Sequence, residues 1–353
     1  MAAHMNRGAP KSDAATEPAF LAACRRQPVA HRPIWIMRQA GRYLPEYRAL
    51  RAKVDFEALT RTPELAAEAT LQPLRRFPLD AAILFSDIMT PVQGMGVELS
   101  FEPGPVVRDP IRTDPQIEAL PELVATRDVP FVLETIRLVR AAAPRGTPLI
   151  GFAGAPFTLL CYLVSGRPSK EFAAARTFLY AQPQSAERLL ERLADAMAEY
   201  LAAQAGAGAQ ALMLFESWAG LLGAPEFTRF ALAAVKRTAA ALRRLSIPLI
   251  YYVNQGSHLM SAVAGLDVDV IGVDWRTGLA EVRRVLGPDK AVQGNLDPAA
   301  LFARPEALRR QVDAVLEQAG PAPGHIFNLG HGIWPDTDPD AVARLIDYVH
   351  ERG

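Results

Sequence analysis

The chain has 353 residues, of which 50% are hydrophobic and 22% charged, enough apolar material for one large core. Lys+Arg and Asp+Glu both number 38, which argues against a chain built for nucleic acid, where a broad basic surplus is expected. Its two cysteines, Cys24 and Cys161, offer neither a disulfide framework nor paired metal-ligand spacing, which fits a reducing cytoplasm.

Residues 1–16 contain no apolar core, so they are expected to be a disordered terminus and not a secretory signal. Residues 1–5 (Met-Ala-Ala-His-Met) read as an expression remnant. The segment 33–51 follows. It begins as a buried strand over 34–37 and passes straight into Arg38 and Arg42. Gly41 and Pro45 disfavour a regular helix, so a loop or irregular turn is expected. Guanidinium forks at the end of a buried strand suit carboxylates or phosphates. A solvated basic loop is the plainer reading, but the abrupt junction of apolar strand and arginine pair favours a site.

Similar apolar runs recur at 81–85, 149–152, 211–215, 249–253, 270–273, 291–293 and 326–328. Helical stretches separate them, over 63–74, 130–143, 185–205, 225–245, 278–286, 304–318 and 338–351, and several open on Pro or Asp as first turns do. Strands alternating with helices imply parallel pairing through crossovers, and continuous apolar runs imply strands covered on both faces. Eight such units at this length predict an α/β fold, a single-domain (β/α)8 TIM barrel over 17–353. No Gly-x-Gly-x-x-Gly follows the first run, which disfavours a dinucleotide-binding sheet. The segment 96–110 reads as a hairpin excursion. The uncharged stretch 147–166 is long enough for a membrane span, but Gly151, Gly154 and Pro156 interrupt it; a strand, a turn and a buried helix fit better, with no membrane.

In such a barrel, function sits at the carboxyl ends of the strands. Arg38 and Arg42 follow the first run, and Asp87 follows the second, either as a helix cap or as a site carboxylate sharing the arginine rim. Small residues after the third run (Gly-Phe-Ala-Gly-Ala-Pro) would let a ligand approach the backbone. Tyr162 beyond them fits either a core tyrosine or a hydroxyl reaching back to the rim. Ser217 follows the fourth run as a helix cap or a contact; it lies in no Gly-x-Ser-x-Gly elbow, so nucleophilic hydrolysis is unsupported. Asn254, Asp274-Trp275-Arg276 and Asn295 close the next three runs and fit scaffolding. His331, between two glycines after the last run, has little to pack against and reads as a site residue.

The segments Arg-Gln-Ala-Gly-Arg-Tyr-Leu-Pro-Glu (38–46), Phe-Ser-Asp-Ile (85–88), Gly-Ala-Pro-Phe-Thr (154–158), Phe-Glu-Ser-Trp-Ala-Gly (215–220) and Asn-Leu-Gly-His-Gly-Ile-Trp-Pro (328–335) strongly resemble the uroporphyrinogen decarboxylase family. The resemblance runs in register from about residue 17 to the end. It implies a cytoplasmic homodimer that removes carbon dioxide from the four acetates of uroporphyrinogen III to give coproporphyrinogen III. No metal and no organic cofactor are implied. It further implies a substrate loop at Arg38, Gln39, Ala40, Gly41 and Arg42, a pyrrole-binding Asp87, and substrate contacts at Tyr162, Ser217 and His331. Asp87, Arg38, His331 and Tyr162 are the catalytic candidates, and the proton donor stays open among Arg38, His331, Tyr162 and a water. The segment 166–170, Gly-Arg-Pro-Ser-Lys, departs from the glycine-richer loop of many relatives. A zinc-dependent methyltransferase on a corrinoid would need a His/Cys ligand set, and no His-x-Cys occurs; a tetrapyrrole carrier would share the binding residues without the chemistry.

Overall fold

The computed structural model describes residues 17–101 and 104–353; the expected disordered terminus and its remnant lie outside them. Seven parallel strands form one sheet: β1 (Ala82–Ile83), then β4 (Leu149–Gly154), β5 (Ala211–Glu216), β6 (Leu249–Val253), β7 (Val270–Val273), β8 (Ala291–Gln293) and β9 (His325–Ile326), in that order. β2 (Leu99–Ser100) and β3 (Val106–Val107) make the expected hairpin, with Leu99 opposite Val107. Apart from Phe215, every residue of the seven sheet strands is buried. That is the signature of a parallel sheet covered on both faces.

Besides Ala173–Ala181, the longer helices are α1 (Pro63–Arg76), α2 (Pro130–Ala142), α3 (Pro156–Ser165), α4 (Pro183–Ala207), α5 (Ala233–Leu242), α6 (Leu279–Leu286), α7 (Pro305–Ala319) and α8 (Pro339–Arg352). Proline opens six of the eight, where its missing N–H costs nothing and its fixed φ suits the first turn. The helix expected over 225–245 is a composite, with a π-helical stretch at Phe227–Leu232 between Ala224–Glu226 and α5. The uncharged stretch 147–166 becomes β4 and the buried α3, closed by Gly166 at φ 82°, a left-handed cap that favours glycine. Among the described residues no helix is long and apolar enough to cross a membrane.

The first expected strand is not one. Only Ile34 pairs, in an isolated parallel bridge to Phe327. Trp35 N donates to Phe327 O at 3.4 Å, but the two N–H groups after it go to side chains: Ile36 N donates to Gln39 Oε1 at 3.0 Å, and Met37 N to Asn328 Oδ1 at 3.1 Å. Buried amides must be satisfied, and here two side-chain carboxamides replace a ladder. The segment is nevertheless deep in the core. Trp35 is fully buried, and its indole N–H donates to Gln293 Oε1 at 2.9 Å. On its other side Asp80 N donates to Ile34 O at 2.9 Å. The closed ring of eight strands that the sequence predicts is not what the structure shows: the sheet has seven strands, and the first run is an extended segment joined to it by an isolated bridge. Proline 45 is also corrected: it starts a short helix, Pro45–Arg51, instead of preventing one, because at the first position it breaks no hydrogen bond.

Candidate active site

Parallel strands in register put the residues that follow them on one face. Gly154 is level with Phe215, Glu216 with Val253, and Val253 with Val273, so Ser217, Asn254 and Asp274 leave the sheet together. Arg38, Asp87 and His331 leave from the neighbouring segments on the same side. The electrostatics tie them together: the Arg38 guanidinium interacts with Arg42, Tyr162, Tyr252 and Asp87, and lowers the pKa of His331.

Arg38 stands at φ 63°, a left-handed turn that ends the extended segment and directs the chain along the rim. It is solvent-exposed, yet enough protein surrounds it that desolvation, and then Arg42, lower its pKa. Gln39 next to it is fully buried. Its Oε1 accepts from Ile36 N and its Nε2 donates to Ala81 O at 3.1 Å, so this side chain is scaffold. Ala40 and Gly41 are half-buried and Arg42 exposed. A β-carbon on Gly41 would lie 2.7 Å from Arg38 O, so the loop closes this tightly only with glycine. Arg48 Nη1 clamps it from below, donating to the carbonyls of Arg42 and Tyr43 at 2.8 and 2.9 Å.

Asp87 Oδ1 accepts from Met89 N at 2.8 Å. Burial nonetheless pushes its carboxyl up to about 6, against the pull of that hydrogen bond and of Arg38. Such a carboxylate is poised to gain from new hydrogen-bond donors. Tyr162 lies on α3, its ring edge-on to Phe172 (centroids 5.3 Å) and Trp218 (6.4 Å). Burial raises its pKa, so it stays a neutral phenol. His331 is half-buried, and desolvation, Arg38 and Arg276 push its pKa down to about 4. At neutral pH it is an uncharged imidazole. Ser217 is held from both sides: its N–H donates to Thr158 Oγ1 at 2.8 Å, and its carbonyl accepts from Asn254 Nδ2 at 3.2 Å.

Two groups at this rim were not singled out from sequence, and a third was read as scaffolding. Glu216 is fully buried; Thr158 donates its hydroxyl to Glu216 Oε1, and burial raises the acid to about 8. Its signal was an acid closing the apolar run Leu-Met-Leu-Phe. Tyr252 OH donates to Gly330 O at 2.8 Å and so braces the His331 turn; inside an apolar strand nothing marked it. Arg276, read as scaffolding, stacks over Trp275 at 4.1 Å and reaches Asp274 Oδ2 at 3.2 Å. Asp274 is buried and accepts Arg276 N at 2.8 Å. The rim therefore presents Arg38, Arg42 and Arg276 together with the Asp87 carboxyl, with Asp274 already engaged by Arg276 and with neutral His331 and Tyr162 alongside. That arrangement suits a polyanion with N–H groups at its centre.

A family model described as "Uroporphyrinogen decarboxylase (URO-D)" matches residues 15–352. Over 331 residues the chain is 48% identical to a uroporphyrinogen decarboxylase of Syntrophotalea carbinolica, covering 94% of this chain and 96% of that one. It is 46% identical to a uroporphyrinogen decarboxylase of Geobacter metallireducens, covering 94% and 97%. Among solved structures, a methyltransferase from Methanosarcina mazei superposes with a TM-score of 0.79 at 20% identity, covering 95% of this chain and 98% of that one; a likeness at that identity speaks for the fold alone. The five motifs, the whole-length match and the high identity over nearly the entire chain agree: this chain belongs to the uroporphyrinogen decarboxylase family.

Proposed function

We propose that the chain removes the carboxyl groups of the four acetate side chains of uroporphyrinogen III, giving coproporphyrinogen III for tetrapyrrole synthesis. The observation that carries this reading is that Arg38 and Arg42 leave the same end of the sheet as the Asp87 carboxyl, near enough for Arg38 and Asp87 to interact electrostatically. An acetate on an electron-rich pyrrole loses carbon dioxide only if the ring can accept the electron pair. Protonating the adjacent ring carbon makes that sink. The C–C bond to the carboxylate then breaks, its electrons neutralise the ring cation, and an exocyclic methylene remains. A proton added to the methylene and one lost from the ring carbon restore the pyrrole with a methyl group, so each turn consumes one proton and releases one carbon dioxide.

In this reading Asp87 accepts the pyrrole N–H groups, which return it to the ionised form and set its charge against the developing ring cation. Arg38, Arg42 and Arg276 bind substrate carboxylates, each charged hydrogen bond contributing ~1.5–3 kcal/mol. The proton comes from the Arg38 side. There a water held by the guanidinium delivers it, since the arginine keeps its own proton, whereas His331 near 4 is already deprotonated. His331, Tyr162 and Ser217 position the ring, and the loop 38–42 closes over it. The extended segment 33–37 completes a (β/α)8 ring, the chain forms one domain, and two copies associate in the cytoplasm as a homodimer.

The test is incubation with uroporphyrinogen under anaerobic reducing conditions, following products by carboxyl number. Stepwise loss of four carboxyls is expected. Tight binding with all eight retained would make the protein a carrier and overturn the proposal.

A further inference from the structure

We propose that His31, Asp80 and His350 form a binding site for one divalent transition-metal ion of the zinc and cobalt class, at the end of the sheet opposite the arginine rim. Asp80 precedes β1 at its amino-terminal end, whereas Asp87 follows the strand, so the two carboxylates belong to opposite faces. The three residues are far apart in sequence and converge only in the fold. His31 Nε2 lies 2.7 Å from Asp80 Oδ1 and His350 Nε2 lies 2.8 Å from Asp80 Oδ2. One ligand atom from each residue lies within 4.8 Å of the other two. The imidazoles meet edge to face, centroids 4.7 Å apart at 72°, so both Nε2 atoms point at the carboxylate between them.

The donor set is two imidazole nitrogens and one carboxylate, which suits zinc and its neighbours better than calcium or magnesium. Bonds of about 2.0–2.2 Å to a central ion would space the ligand atoms roughly half an ångström wider than the present hydrogen bonds. Ion entry would therefore need only a small opening. Each imidazole would give up its Nε2 proton and carry it on Nδ1. The carboxylate is already oriented, because Ile34 N donates to Asp80 Oδ2 at 2.8 Å, and such outer contacts tune metal sites. His31, His350 and Asp80 side chains are 37%, 24% and 13% exposed, which leaves room for an ion to enter and for a water as fourth ligand. A bound ion would tie the last helix, α8, to the start of the core and to the base of β1.

The alternative is a metal-free clamp in which Asp80 accepts from both histidines. Titration of the chelator-treated full chain with zinc and with cobalt(II) separates the two. Followed by calorimetry, cobalt absorption and thermal melting, the proposal expects one equivalent bound and a raised melting temperature. His31→Gln and His350→Gln would each weaken affinity by at least about tenfold, the cost of losing even an outer partner, while His331→Gln leaves it unchanged. No binding at millimolar ion, or affinity unaltered in both variants, overturns it. Should the variants fail to fold, X-ray absorption of the cobalt-loaded wild type decides: two imidazole ligands support the site and fewer reject it.

Discussion

The side chain of Arg38 occupies the space a β-carbon on Gly332 would need: that atom would stand 2.5 Å from Arg38 Cδ and 2.8 Å from Nε. Residues almost three hundred positions apart thus form one wall of the rim, and the glycine after His331 is what lets Arg38 lie flat against the turn.

Gly332→Ala should therefore displace a guanidinium without unfolding the protein. Gly332 is outside the left-handed region, and Arg38 is exposed and has a long side chain that can swing away. A misplacement of this size costs about 10–100-fold in kcat/KM, with the melting temperature held within a few degrees. A variant with wild-type kinetics would show that the resting position of Arg38 is irrelevant to turnover.

Asp87→Asn is isosteric and keeps the hydrogen bond from Met89 N. It removes the charge that faces the ring cation, so kcat should fall by about 100–1000-fold, the usual cost of one preorganised electrostatic contact. The far-ultraviolet spectrum should stay the same. A rate of coproporphyrinogen formation equal to wild type takes Asp87 out of the mechanism.

Arg38→Ala and Arg42→Ala distinguish chemistry from anchoring. Each loses charged hydrogen bonds to substrate, about 10–100-fold in kcat/KM. If the proton comes from the Arg38 side, Arg38→Ala lowers kcat as well, and Arg42→Ala raises chiefly KM. Equal losses confined to KM in both variants would make both residues simple anchors.

Glu216 gives a pH signature of stability. Its folded pKa, about 8, is raised from 4.5 by burial. A raised folded pKa means full stabilisation below the unfolded value and progressive loss as pH climbs through the folded one. Wild type should thus lose stability between about pH 4.5 and 8, while Glu216→Gln, which cannot ionise, is flatter across that window. Urea midpoints at pH 5, 7 and 8.5 test this, and parallel curves for the two proteins would contradict it.

Much of this molecule was readable in its one-dimensional order. Runs such as 249–253, 270–273 and 291–293 became strands with the same limits, because residues apolar on both faces can only be satisfied inside a covered parallel sheet. The prolines that open α1 and α2 marked helix starts for a local reason, their fixed φ. The site candidates were singled out because polar residues follow abruptly on the ends of apolar runs, and their catalytic roles came from the family resemblance. The first run failed as a strand: its amides are claimed by Gln39 and by Asn328, the latter nearly three hundred residues away, and hydrophobic pattern carries no record of such partners. The same limit hid Tyr252, whose hydroxyl matters only because Gly330 stands 2.8 Å from it.

The order of residues fixed which segments could be buried and which polar groups would stand at their ends, since propensity and period act over a few neighbours. Only the folded chain decided which ends meet: Arg38 against Gly332, and His31 and His350 on Asp80, 49 and 270 positions distant. Local sequence sets the cost of burying a group, but its hydrogen-bond partner and its pKa are set by what the fold brings beside it.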